Sequence, residues 1–152
     1  MLRAARSLVG IPFVLGGRDE KKADCAGLVV LFYKKLGIDI PLDACESTYS
    51  DIRQIAVGCD VMVRRCRNFF RIYPVEDGKC VVQPKPGDIL LFHHDTRNVS
   101  THIGIFIDNF QFLHTEENKK SRIVKMTRPL FHTFKTSSDN VWSRRLSSLG
   151  KY

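Results

Sequence analysis

The sequence lacks several features that mark common classes of protein. None of its five cysteines forms a C-x-x-C pair, the spacing typical of zinc and dithiol redox sites. No apolar run approaches the roughly 20 residues that cross a bilayer. The chain also has no internal repeat, low-complexity segment or interdomain linker. A chain of 152 residues that is 43% hydrophobic therefore predicts one domain over residues 1–152, without a membrane span.

The net charge is strongly unbalanced, at +8, and favours polyanionic partners such as nucleic acid, anionic lipid or an anionic wall polymer. No nucleic-acid-binding motif accompanies the charge, so a nucleic-acid partner is not expected. The basic N-terminus has too short an apolar stretch for a signal peptide and is not followed by a small-residue cleavage site. Synthesis in the cytoplasm without a conventional signal peptide is the resulting expectation. The odd cysteine count favours a reducing compartment. The sequence gives no distances between cysteines, so a disulfide between two of the middle four remains an alternative: Cys45, Cys59, Cys66 and Cys80.

One cysteine lies where a polar loop becomes an apolar helix. The spacing predicts a helix from about Cys25 to Leu36, with Leu28, Leu31 and Phe32 on one stripe. Cys25 would occupy its first turn, where unpaired N–H groups and the helix dipole favour the thiolate. A cysteine that merely packs as a small hydrophobe is the alternative.

The second half of the chain changes its hydrophobic period from helical to strand-like. Short apolar runs predict strands at Asp88–Phe92, Thr101–Ile107, Phe110–His114, Arg122–Met126 and Val141–Leu146. A short amphipathic helix is predicted at the N-terminus, before the Cys25 helix. Helices followed by antiparallel strands indicate an α+β domain with its helices packed on one side of a sheet.

Two histidines on one predicted hairpin are candidates for a base and its orienting partner. A nucleophilic thiol needs a base to take its proton and a third group to orient that base. Direct opposition of His102 and His114 requires a three-residue loop, Ile107–Asn109, whereas a two-residue turn at Asp108–Asn109 would place the imidazoles on opposite faces. In the productive arrangement we expect an odd-length or bulged loop at Ile107–Asn109, with both imidazoles on the face that meets the Cys25 helix. The intervening isoleucines would fill the other face: Ile103, Ile105 and Ile107. The remaining histidines are expected at the surface or in structural roles: His93, His94 and His132. A metal site at His93, His94 and Asp95 is the alternative, for which the sequence does not supply the ligand number.

These motifs together resemble the NlpC-type family of papain-like cell-wall cysteine peptidases. The likeness is in the order and spacing of five stretches: Ser7–Gly17, Asp24–Val29, Lys85–Phe92, His102–Ile107 and Phe112–His114, followed by a closing strand at Val141–Arg145. It covers almost the whole chain except a divergent segment at about 43–82.

The resemblance implies a papain-like fold and hydrolysis of peptide bonds in peptidoglycan stem peptides, commonly between D-glutamate and the diamino acid. It also implies that Cys25 is the nucleophile, His102 the general base and acid, and His114 the orienting residue. The backbone N–H of Cys25 would help to hold the oxyanion. No metal or other cofactor is implied.

Three further positions are implied to contact substrate. Asp24 would hold a substrate ammonium, with plain helix capping as the alternative. Phe13 stands where the family usually has tyrosine, and Ala26 where it often has serine. Because both hydroxyls are missing, selectivity for a free N-terminal L-alanine does not follow for this chain.

Two other classes of function share the scaffold. One is a non-catalytic wall-binding or phage-tail structural domain, against which the intact cysteine and histidines argue. The other is a thiol amidase or acyltransferase that uses the same residues on another acyl group. If the substrate lies in the wall of a bacterium, delivery by a phage particle, lysis or specialised secretion is expected. Cytosolic action on recycled stem peptides is the alternative.

Overall fold

A computed structural model describes the backbone of residues 1–40, 70–76, 79–80, 83–93, 100–125 and 141–145, and the side chains at 1–40, 83–92 and 102–125. His94, Asp95 and His132, and most of the divergent segment, lie outside these described residues. Within them, two helices accompany nine strands, and the predicted α+β class is confirmed. Neither described helix is long and apolar enough to cross a membrane.

The first helix, α1, spans Leu2–Ser7. Its small apolar residues face inward: Ala5 and the following Leu8 are fully buried, whereas Leu2 and Val9 are partly exposed. The helix ends before Gly10, which has a φ of 94° that favours glycine. The predicted N-terminal helix is therefore present, but it ends at Ser7, before the last apolar residues of the helical pattern, Leu8 and Val9.

The second helix, α2, spans Cys25–Lys35, and its cysteine occupies the first turn as predicted. Gly37, with a φ of 71°, ends it. The Gly37 N–H donates to the Lys34 carbonyl over 3.0 Å and the Ile38 N–H to the Tyr33 carbonyl over 2.9 Å. This pair of bonds is a Schellman motif, which satisfies carbonyls left open at a helix end. Lys34 and Lys35 lie in the last turn, where cations suit the helix dipole.

A small hairpin that the hydrophobic pattern did not predict precedes α2. It pairs β1 (Arg18–Asp19) with β2 (Lys22–Ala23). The Asp19 side chain accepts from the N–H groups of Lys21 and Lys22, which closes the turn. Strands of two residues are too short to carry a period, so local hydrogen bonding rather than patterning defines them.

A seven-stranded antiparallel sheet forms the rest of the described fold. Its order is β4-β3-β9-β5-β6-β7-β8. The strands are β3 (Phe70–Glu76), β4 (Lys79–Cys80), β5 (Ile89–His93), β6 (Ser100–Asp108), β7 (Gln111–His114), β8 (Arg122–Lys125) and β9 (Val141–Arg145). The predicted strands of the second half are thus present, with ends shifted by a residue or two. Helix α2 packs on β6, near the middle of the sheet.

The two faces of the sheet have different neighbours. Ile103, Ile105 and Ile107 belong to one core cluster with Leu28 and Phe32 of α2. The alternate positions of β6 point to the opposite face. The expectation that the isoleucines fill the face away from the Cys25 helix is therefore wrong, because they are the part of β6 that packs beneath α2.

Candidate active site

The loop before α2 holds the start of that helix in place through Asp24. This carboxylate is 2% exposed. It accepts from the Gly27 N–H over 2.7 Å as the helix N-cap and from the Gly16 N–H over 2.8 Å, and it pairs with the Arg18 guanidinium. Such a cap is worth about 1 kcal/mol. The helix-capping role, which the sequence left open, is confirmed, while a contact between Asp24 and substrate stays a prediction.

Two glycines allow the loop and helix to approach closely. A Cβ at Gly27 would overlap the Gly17 carbonyl oxygen, and one at Gly17 would lie 2.8 Å from backbone atoms of Val14 and Lys22. Neither position tolerates a side chain without movement of the backbone. The first turn of α2, which carries Cys25, is thus fixed against the loop. Cys25 itself is a thiol rather than half of a disulfide, and it is 4% exposed.

The predicted substrate-contacting residues border this loop. The backbone of Phe13 bridges to Ala23, two residues before the cysteine, and its N–H donates to the Lys119 carbonyl over 3.2 Å. The Phe13 side chain is half-buried, and Ala26 follows Cys25 in the first turn of α2. Ala26 is therefore adjacent to the nucleophile candidate in the chain, and Phe13 is bridged to the strand that precedes it.

The His102 and His114 side chains meet on the sheet. His102 Nε2 lies 3.0 Å from His114 Nδ1, which is a hydrogen bond between two buried imidazoles. Their exposures are 7% and 1%. Phe92 contacts the His102 ring and Phe112 contacts the His114 ring, and the two phenyl rings contact each other. The imidazole pair is thus enclosed by aromatic side chains on the face of β6 opposite the isoleucines.

A β-bulge, one of the two loop forms expected from the sequence, brings the two histidines together. The turn is Asn109–Phe110, whose φ values of 43° and 60° match a two-residue hairpin turn with Asp108 opposite Gln111. Continued without interruption, that register would place the imidazoles on opposite faces. The register instead shifts between Phe106 and Asp108.

After that shift, Ile105 pairs with Leu113, so His114 stands opposite Gly104 and diagonal to His102. Direct opposition of the two histidines was therefore the wrong register. A diagonal pair on one face lies within reach of long or aromatic side chains. Gly104 leaves room for this arrangement, since a Cβ there would lie 2.8 Å from the Phe112 ring.

The environment of His114 keeps its ring neutral. Burial, followed by the nearby His102, lowers the pKa of His114 from 6.5 to about 3. Its Nε2 is among the buried polar atoms of the described residues that have no hydrogen-bond partner. A neutral imidazole has one nitrogen that accepts and one that donates, and here Nδ1 is the nitrogen at the hydrogen bond with His102. Such a ring is suited to orient a second imidazole rather than to take its proton.

A charged cluster that the sequence reasoning missed adjoins His114. Glu116 Oε2 accepts from Lys119 Nζ and from Arg122 Nη2, each over 2.7 Å, and Glu116 Oε1 lies 4.0 Å from His114 Nδ1. Burial raises the pKa of Glu116, but the hydrogen bonds from Lys119 and Arg122 outweigh it and lower that pKa to about 2. The spacing of two residues from His114 was the available signal in the sequence.

Known proteins with similar sequences point to one family. A sequence model of the NlpC/P60 family matches residues 10–146. The chain is 27% identical to the Escherichia coli (strain K12) murein DD-endopeptidase MepS/murein LD-carboxypeptidase, over 89% of this chain and 58% of that protein. It is 25% identical to the probable endopeptidase YafL of the same strain, over 81% of this chain and 41% of that protein. The chain thus spans about half the length of these relatives.

A solved structure supports the fold. The NlpC/p60 domain of the peptidoglycan hydrolase SagA superimposes with a TM-score of 0.52 at 21% identity, over 82% of this chain and 85% of that one. At this identity the likeness concerns the architecture alone. The matched family spans the Cys25 loop, α2 and the histidine hairpin, as the sequence resemblance predicted. This chain belongs to the NlpC/P60 family.

Proposed function

We propose that this domain is a cysteine peptidase that hydrolyses peptide bonds in peptidoglycan stem peptides. The observation that carries the proposal is the buried 3.0 Å hydrogen bond between His102 Nε2 and His114 Nδ1 in a domain whose first α2 residue is Cys25. A base with a fixed orienting partner is what thiol catalysis requires. The names of the relatives, an endopeptidase and an endopeptidase/carboxypeptidase of murein, support the substrate class.

In the proposed reaction the Cys25 thiol gives its proton to His102, and the thiolate attacks the scissile carbonyl carbon. The backbone N–H of Cys25 helps to stabilise the oxyanion. As the C–N bond breaks, His102 returns the proton to the leaving amine, which leaves a thioester on Cys25. Water then attacks this thioester, His102 takes a proton from the water, and the thiol is released with the new carboxylate.

One placement supports His102 as the partner of Cys25: helix α2 packs on β6, the strand that carries His102. The hydrogen bond at Nε2 fixes the His102 ring, so that its Nδ1 is the nitrogen assigned to the thiol.

The bond that we assign is the one between D-glutamate and the diamino acid. We propose that Phe13 and Ala26 contact the stem peptide beside Cys25. We also propose that the Asp24 carboxylate holds a substrate ammonium as an ion pair. The hydroxyls expected at positions 13 and 26 are absent, so we do not propose a requirement for a free N-terminal L-alanine. The route by which the protein reaches a cell wall stays a prediction.

The test is incubation with defined muropeptides, followed by mass spectrometry of the products. Cleavage should yield a fragment ending in D-glutamate and a fragment with a new amino group on the diamino acid, and Cys25→Ala should abolish both. Absence of products, with intact binding to wall fragments, would favour the non-catalytic alternative.

A second measurement needs no substrate. Iodoacetamide should alkylate Cys25 faster than the other cysteines near neutral pH, and His102→Ala should remove that advantage, because the thiolate loses its imidazolium partner. Equal labelling of all five cysteines in the native protein would contradict the assignment of Cys25.

A further inference from the structure

Glu116 bridges two cations and the imidazole pair. Its Oε2 is occupied by Lys119 Nζ and Arg122 Nη2, both at 2.7 Å. The remaining oxygen, Oε1, is turned toward His114 Nδ1 at 4.0 Å, beside the nitrogen that makes the hydrogen bond with His102. The carboxylate thus directs Oε2 to the two cations and Oε1 to the imidazole pair.

The backbone register explains why a negative charge is needed at this place. Arg122 is the cross-strand partner of His114. A guanidinium beside a buried imidazole opposes any further positive charge there, and so does the Lys119 ammonium. During catalysis the proposed site must accept one more positive charge, when the imidazole pair takes the thiol proton.

We propose that Glu116 is a positioning residue whose carboxylate balances Arg122 and Lys119 and so keeps on the His102–His114 pair the proton that Cys25 gives up. This inference rests on the proposed function. The step breaks the S–H bond and forms an N–H bond, without another reactant. Glu116 does not touch substrate and acts only through the charge and orientation of the imidazoles.

The groups that face His114 come from each neighbouring element. His102 approaches from β6, Arg122 from β8, and Lys119 and Glu116 from the segment between β7 and β8. Phe92 of β5 lies against His102 and Phe112 of β7 against His114, and both are apolar. Among the described residues, Glu116 is therefore the carboxylate that acts on His114.

A purely structural role, in which Glu116 only ties Lys119 to Arg122, makes a different prediction. Glu116→Gln keeps the shape and an amide oxygen that still accepts from Arg122, but it loses the charge. If the role were structural, this variant would change activity or stability without changing the pH profile of Cys25. Glu117→Gln is the matched control, because it removes the same charge from the adjacent, exposed residue.

The experiment measures the rate of Cys25 alkylation by iodoacetamide from pH 5 to 10, in the otherwise native full chain. Two steps are expected: thiolate formation at low pH and loss of the proton from the imidazole pair at higher pH. In Glu116→Gln the upper step should move to lower pH by about half a unit to one unit, the scale of a charge a few ångströms away. Lys119→Gln should move it to higher pH, and Glu117→Gln should leave it in place.

The outcomes separate this inference from the proposed function. If His102→Ala leaves the alkylation profile unchanged, the Cys25–His102 partnership fails, and with it the proposed mechanism. If the profile depends on His102 but Glu116→Gln and Glu117→Gln behave alike, the role of Glu116 alone is refuted. A shift of the upper step in opposite directions in Glu116→Gln and Lys119→Gln supports it.

Discussion

The residues of the imidazole pair have unequal tasks, and their surroundings account for the difference. His114 is 1% exposed, packed against Phe112, and held neutral by burial. His102 makes its hydrogen bond to this neutral ring through Nε2. A proton acceptor and an orienting group should therefore respond differently to truncation.

We expect His102→Ala to reduce kcat/KM by about 10³-fold or more and His114→Ala by about 10- to 100-fold, because general acid–base catalysis contributes roughly 10²–10⁴. Loss of the orienting ring leaves the proton acceptor in place. His114→Asn should recover part of the loss, since an amide oxygen accepts the imidazole N–H. Steady-state kinetics on a muropeptide would measure these ratios, and equal losses in the two alanine variants would contradict the assignment of roles.

Some of these roles are readable from residue types and some are not. The apolar run of helical period after Cys25 predicts that this residue lies at the start of a helix, because local sequence determines where a helix begins. The pairing of Asp24 with Arg18 depends on the β1–β2 hairpin, which brings them together across six positions. The contact of Glu116 with Arg122 likewise depends on how β8 returns beside β7, which residue types do not encode. The contact of Glu116 with Lys119 is local, between residues three apart.

At the scale of elements, the hairpin of β6 and β7 shows where sequence reasoning stops. The strands follow from alternating apolar residues, and Asn109 is suited to a turn. The turn nevertheless includes Phe110, which is 60% exposed and adopts a positive φ that a bulky residue rarely takes. The register shift between Phe106 and Asp108, just before this turn in the chain, lets the histidines share one face. An odd-length loop and a bulged loop are both expected from the sequence, and no residue type there chooses between them.

Helix α2 offers a test in which two physical effects have opposite signs. Helix propensity alone would make Gly27→Ala stabilising by about 1 kcal/mol. The new Cβ would overlap the Gly17 carbonyl oxygen, so we instead expect the free energy of unfolding to fall by roughly 2 kcal/mol, with lower activity as the Cys25 turn shifts. Urea denaturation and muropeptide hydrolysis measure the two effects.

The control lies at the other end of the same helix. A Cβ at Gly37 meets nothing within 4 Å, so Gly37→Ala introduces no overlap. We expect its free energy of unfolding to fall by only about 1 kcal/mol, because a φ of 71° is unfavourable for alanine. Activity should persist in this variant, because the start of α2 is undisturbed. A Gly27→Ala protein more stable than the native one would show that the loop moves away at little cost.

At the scale of the whole molecule, the N-terminal segment connects the two sides of the candidate site. Ser121 Oγ donates to the Leu8 carbonyl and accepts from the Ile11 N–H over 2.8 Å, and the Gly10 N–H donates to the Ser121 carbonyl over 2.9 Å. The segment after β7, which carries Glu116, is thereby tied to the chain that leads into the Cys25 loop. The family match over residues 10–146 begins in the N-terminal segment, at Gly10.

The burial of a neutral histidine should be visible in the stability of the whole domain. The pKa of His114 is about 3 in the folded chain and 6.5 when unfolded. Between these values the unfolded state binds the proton and the folded state does not, so the free energy of unfolding rises with pH. From pH 5 to 7 this residue should add about 2 kcal/mol to stability.

His114→Asn removes the titrating group and keeps a polar side chain of similar reach, which makes the pH slope the informative quantity. Glu116 adds little to the slope in this range, because its pKa is about 2 in the folded chain and 4.5 unfolded. At pH 5 only about a quarter of the unfolded chains hold a proton there, and at pH 7 almost none. Urea titrations of the native and variant proteins at pH 5, 6 and 7 should show a shallower slope in the variant. An unchanged slope would mean that His114 takes up a proton in the folded protein near its ordinary pKa, and a charged ring there could not accept the Nε2–H of His102.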